Sequence, residues 1–125
     1  MKPRIRKPHP FPWIIESLEE DASFEDRSMF GCRATYFRGQ LVLVCADQEE
    51  PWNGLLLVTS REHHLALQAE FPSLTPHAVL GKWLYISQGH PDFEEIAPAI
   101  VSHIKKGDER IGIEPKPRKQ KRRAR

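Results

Sequence analysis

From Trp13 to Asp21 the chain reads WIIESLEED. Ile14, Ile15 and Leu18 recur at helical spacing with acids between them, which predicts a short amphipathic helix. The next runs, SMFGCRATYF and QLVLVCA, alternate and are rich in β-forming residues, with Arg38-Gly39 between them. They predict a β-hairpin. A two-residue turn sets Phe37 opposite Gln40, Tyr36 opposite Leu41, Ala34 opposite Leu43 and Cys32 opposite Cys45. Phe30, Cys32, Ala34, Tyr36, Leu41, Leu43 and Cys45 then share one apolar face, while Arg33, Thr35, Val42 and Val44 share the other. A three-residue loop with Gly39 left-handed would instead offset the cysteines. Arg-Gly lacks the Asn or Asp that favours the two-residue turn, so it leaves both registers open.

GLLLVTS (54–60) predicts a third, central strand, and TSREHHLALQAEFP a helix. Thr59 with Glu62 three residues on has the spacing of a capping box, and Pro72 stops the helix. KWLYIS predicts a fourth strand with Trp83 and Tyr85 on one face and Lys82, Leu84 and Ile86 on the other. In DFEEIAPAIVSHIKKG, the residues Phe93, Ile96, Ala97, Ile100, Val101 and Ile104 form a continuous helical stripe. Asp92 with Glu95 suggests a second capping box, Pro98 a kink, and Gly107 the exit. The order α-β-β-β-α-β-α predicts an α+β domain: a mainly antiparallel sheet of four or five strands covered by helices.

Charge divides the chain into three parts. Residues 1–12 hold four prolines and four basic residues and read as a flexible lead-in; residues 13–112 read as the folded domain. Residues 113–125 read as a disordered basic tail. The net formal charge of +2 conceals a tail with seven positive charges and a body, residues 8–114, with 8 basic against 17 acidic residues, a net −9. Basic arms on an acidic domain are the result. Lys116, Arg118, Lys119, Lys121, Arg122, Arg123 and Arg125 are the candidate nucleic-acid contacts. An acidic protein is the other partner such a tail would suit.

Candidate chemistry is sparse. No run approaches the roughly 18 apolar residues of a membrane span, and the basic amino terminus is followed by prolines rather than an apolar leader. The expectation is a cytoplasmic protein with reduced thiols. Cys32 and Cys45 match no zinc spacing; they read as core thiols, with a cross-strand disulfide as the alternative in the first register. The six histidines form no HExxH or related pattern, so they read as surface residues, with no metal and no cofactor predicted. No nucleophile elbow or phosphate-binding glycine loop occurs, so binding is expected rather than catalysis. Trp83 and Tyr85, beside Lys82, are candidate ligand contacts if their rings are exposed for stacking, and core residues if not.

Arg27-Ser-Met-Phe-Gly31, leading into a strand, an Arg-Gly turn and a second strand, resembles the R-x-M-F-G opening of the N-terminal domain of TfoX-type competence regulators. The later LGKWLYIS strand and terminal helix are similar to those of YjbR/MmcQ-type small domains. Cys32 stands where the family has a second glycine. The resemblance implies a compact α+β domain without established enzymatic chemistry and with a regulatory role linked to nucleic acid. The function predicted is therefore a small binding or regulatory domain with non-specific polyanion contact through its tail. The alternative is a protein-interaction or small-ligand module with no nucleic-acid role.

Overall fold

A computed structural model describes residues 9–115. Residues 1–8 of the predicted lead-in, and the candidate nucleic-acid contacts Lys116 to Arg125, lie outside the described residues. The fold is α+β, with strands β1 (Glu25–Met29), β2 (Cys32–Phe37), β3 (Gln40–Asp47), β4 (Asn53–Leu57), β5 (Thr75–Pro76) and β6 (Leu84–Ser87). They form one antiparallel sheet in the order β1-β2-β3-β4-β6-β5. Helices α1 (Pro12–Ile15), α2 (His64–Glu70) and α3 (Phe93–Lys105) complete it. The sheet has six strands rather than the four or five expected, because both edge strands escape the hydrophobic pattern.

At one edge, SMFGCRATYF is broken at its centre. Phe30 (φ 55) and Gly31 (φ 76) are both left-handed and turn β1 back onto β2. Arg38 (φ 53) and Gly39 (φ 81) repeat the device between β2 and β3. Two consecutive positive φ values are the two-residue hairpin turn whose twist matches that of the strands. A side chain at the first position costs about 1–2 kcal/mol in this conformation. At the other edge β5 is two residues long and ends in proline, which cannot extend a ladder.

The β2–β3 register starts as the two-residue turn requires, with Phe37 opposite Gln40 and Tyr36 opposite Leu41. A bulge at Val42 then shifts it, so that Thr35 faces Leu43, Ala34 faces Val44 and Arg33 faces Cys45. The single apolar face expected for the hairpin is therefore split between the two sides of the sheet. Cys45 packs on the helix side with Phe37, Val42 and Leu43, whereas Cys32 packs on the opposite side with Ala34, Leu41 and Val44. Both cysteines are buried, reduced thiols and no cross-strand disulfide joins them. Burial pushes the Cys45 thiol far above its ordinary value.

All three helices lie on one face. Ile14, Ile15 and Leu18 at α1, Leu67 and Phe71 at α2, and the α3 stripe pack against Leu55, Leu57, Leu84 and Ile86. Ile96, predicted within the stripe, is only partly buried. Helix α1 is shorter than the Trp13–Asp21 prediction, although turns carry its buried positions on to Leu18. Pro72 follows the end of α2, and α3 runs unbroken across Pro98.

Neither predicted capping box forms. Arg61–His63 make a 3-10 turn before α2, and the Thr59 hydroxyl donates instead to the Arg110 carbonyl. Asp92 accepts from the Ser73 hydroxyl. Gly107 (φ 81) does close α3: its N–H bonds the Ile104 carbonyl and that of Asp108 bonds His103, satisfying the otherwise orphaned carbonyls.

Beyond α3 the chain is pinned twice. Arg110 donates to Asp108 through Nε (3.0 Å) and Nη2 (2.6 Å), and also to Glu70 (2.7 Å). His103 sits between the same carboxylates, 2.8 Å from Asp108 and 3.3 Å from Glu70. Ile113 then exchanges both backbone hydrogen bonds with Leu41, which continues the sheet past the end of β4.

Two outcomes test this architecture. Arg110, chiefly through its side-chain hydrogen bond, holds the Asp108 carboxyl well below its ordinary value. A carboxylate depressed in the folded state contributes stability that is complete above the ordinary carboxylate range and lost as pH falls through and below it. Asp108→Asn should therefore cost about 2 kcal/mol at neutral pH, and the difference from wild type should shrink steadily in urea melts taken below pH 4. A Cβ at Gly54 would lie 2.1 Å from the Ile86 carbonyl oxygen. Gly54→Ala should destabilise the β4–β6 pairing by about 3 kcal/mol, seen as a lowered midpoint with an unchanged slope.

Candidate functional site

The second face of the sheet carries no helix, yet its residues are equally apolar. Cys32, Ala34, Leu41, Val44, Ala46, Leu56, Val58, Trp83 and Tyr85 form a buried cluster there. Their cover comes from side chains of loops and strand ends, chiefly Met29, Tyr36, Trp52, Leu80 and Ile113. A sheet face without a helix must be closed this way or left wet.

Trp83 and Tyr85 share this face, as the alternation predicts, but they are 4% and 8% exposed. Neither ring offers an open stacking surface. Lys82 places its ammonium 5.6 Å from the centre of the Trp83 ring. The indole N–H of Trp83 is buried and finds no partner among the described residues.

Tyr85 instead anchors the β3–β4 loop. Its hydroxyl donates to Glu50 (2.7 Å) and accepts from the Asn53 N–H (2.8 Å). Ser87 donates to the other oxygen of Glu50 at 2.5 Å. These donors hold the Glu50 carboxyl below its ordinary value. Burial, reinforced by Glu50, pushes the Tyr85 phenol up to about 12.

His77, expected at the surface, is 2% exposed. Its Nε2–H donates to the Pro51 carbonyl (2.6 Å), and Nδ1 accepts from the N–H groups of Val79 (3.1 Å) and Leu80 (2.9 Å). Three backbone partners thus fix the tautomer. The ring lies edge-on between Trp52 (4.5 Å) and Tyr85 (5.1 Å).

Above this buried layer sits an exposed one. Phe30, at the tip of the β1–β2 turn, is 60% exposed and reaches Trp52 at 5.9 Å. Val79, beside His77, is 62% exposed. Gln48 ties the two loops together by donating to the Gly31 carbonyl (2.9 Å). The sequence pattern did not nominate Phe30, Trp52, Val79, Glu50 or His77. The signals present were a Phe-Gly pair inside an alternating run and a tryptophan in a polar loop.

Chemistry is less well provided for. Among the described residues no group of three or more His, Cys, Asp or Glu side chains is arranged to hold a metal ion. A pocket of about 200 Å³ lies between Phe37, Arg38, Ile104, Asp108 and Ile111, below the usual size for a cofactor or drug-sized ligand. An open depression of about 450 Å³ lies against Trp13, Glu94 and Pro98. No helix of the described residues is long and apolar enough to cross a membrane.

Tyr85→Phe removes the hydroxyl that holds the β3–β4 loop. It should cost about 1–2 kcal/mol in denaturant unfolding, and amide exchange at Asn53 should accelerate more than at Leu56. Equal acceleration at both would mean that the loop is held by other contacts.

Against known proteins, no family model, no curated protein and no solved structure matches this chain.

Proposed function

We propose that the chain is a small non-catalytic binding domain whose folded body makes protein contacts. The observation that carries this reading is the exposed Phe30 and Val79 on either side of the partly buried Trp52 and the buried His77, on an acidic body. Groups of the kind that usually do chemistry support it further: the thiols are buried, and His77, Glu50, His103 and Asp108 are each held by structural partners. The resemblance to TfoX N-terminal and YjbR-type domains supports a regulatory role for such a body.

A second reading concerns the basic segment Lys116 to Arg125, which we propose as a separate polyanion contact. Its seven positive charges and no negative one favour it. The body, at −9, repels phosphates, so nucleic-acid affinity rests on the basic segments outside it, chiefly the tail, with Lys2, Arg4, Arg6 and Lys7 as the lesser share.

A mobility-shift titration on duplex DNA of arbitrary sequence separates the two. Full-length protein should bind with a log–log salt slope no steeper than about −10, and removing residues 116–125 should weaken binding strongly and flatten that slope by up to about 6. Unchanged affinity after that deletion would remove the nucleic-acid reading and leave the protein-contact reading standing.

A further inference from the structure

Of the large hydrophobic side chains left exposed, Phe30 and Val79 flank the same pair of rings, Trp52 and His77. Large apolar side chains left exposed close together are characteristic of interaction sites. Phe30 is the informative member. It occupies a left-handed turn position where Asn or Asp is favoured and a bulky ring is strained, while most of its surface faces solvent. The fold gains little from a phenylalanine there. A residue that costs the fold something and packs into little of it is a residue selected by something outside the fold.

The frame of the patch gives the partner's chemistry. Glu49 and Glu50 are exposed in the loop that presents Trp52, whereas Asp47, the last residue of β3, follows Ala46 of this face and so points to the helix side. The Glu50 carboxylate is held in place by Tyr85 and Ser87. Near this face Arg27 is paired with Glu25, Lys82 lies against Trp83, and the Arg61 guanidinium lies beside Gly81. A second copy docking face to face would bring these carboxylates together, which like-charge repulsion opposes.

We infer that the Phe30–Trp52–Val79 face docks a Lys/Arg-rich segment of a partner protein through one apolar or aromatic anchor residue, with Glu49 and Glu50 engaging its cations. The inference rests on the protein-contact reading above and names the partner's chemistry. The anchor side chain packs on the exposed Phe30 ring beside Trp52, and the acidic loop sets register and on-rate.

The test uses the full-length chain and short synthetic Lys/Arg-rich peptides carrying one Trp, Phe or Leu. Matched peptides lacking the anchor, and peptides with Glu in place of the basic residues, serve as controls. Affinity is read by fluorescence anisotropy and location by amide shift mapping. The anchored basic peptides should bind and shift residues 29–31, 48–53 and 77–80. Phe30→Asn should weaken them about tenfold while raising the thermal midpoint, which separates lost contact from lost fold. Glu49→Lys should weaken them several-fold at low salt and much less at high salt.

Four results would overturn the inference. Preferential binding of the acidic or uncharged peptides at this face keeps the protein-contact reading and removes the basic partner. Binding mapped to the helical face does the same. Concentration-dependent dimerisation abolished by Phe30→Asn would make a second copy the occupant. Binding that emerges only after residues 1–8 or 116–125 are removed would assign the face to the chain's own basic segments. If no peptide shifts any surface of the domain, the protein-contact reading fails as well.

Discussion

Three central strands that are apolar on both faces, with helices on only one of them, set the terms for everything else in this molecule. Leu55, Leu56 and Leu57 follow one another in β4 and all are fully buried. Consecutive side chains point to opposite sides of a sheet, so two separate cores are required. The helices fill one. The other is closed by side chains drawn from loops, and this explains why the loops of this protein are so tightly held. His77 spends both ring nitrogens on backbone groups and Glu50 collects two hydroxyl donors. These bonds fix the walls of the second core, which no helix is available to do.

The same demand shapes the carboxy-terminal end of the fold. Ile113 belongs to the second core, although it follows a helix that belongs to the first. The chain must therefore pass around the sheet between Gly107 and Gly112, outside any helix or strand. The Glu70–His103–Asp108–Arg110 cluster supplies the missing constraint along this passage. Charged hydrogen bonds of this geometry are about twice as strong as neutral ones, and here they join α2, α3 and the crossing segment at one point.

Much of this was legible in the sequence wherever burial is one-sided. The α3 stripe, the helix stop at Pro72, the exit at Gly107 and the faces of Trp83 and Tyr85 all follow from period and punctuation. The α+β class follows from the order of elements. The pattern failed where a second principle competed. β1 is an edge strand of mostly charged residues, which blunts pairing with other chains and also erases the alternation that would reveal it. The bulge at Val42 cannot be seen in a run of six apolar residues, because either face accepts any of them; only the split of Cys32 from Cys45 exposes it. Thr59 fits a capping pattern, yet its hydroxyl serves a carbonyl 51 positions away. The candidate site was least legible of all. Phe30, Trp52 and Val79 come from three separate turns and loops, which only the completed sheet brings together.

The Leu41–Ile113 bridge has one more effect, on the segment beyond it. The described chain stops two residues later, at an exposed Pro115. Whatever the next ten residues engage is thereby leashed to a fixed point on the sheet rather than to a loose carboxy terminus. For leashed sites, the effective concentration of the second contact depends on leash length, falling roughly as its −3/2 power once the leash exceeds the span. On the proposed reading of body and tail as two contacts, a partner wide enough to meet both would be held from this one fixed point, and two weak contacts would add with no additional surface buried.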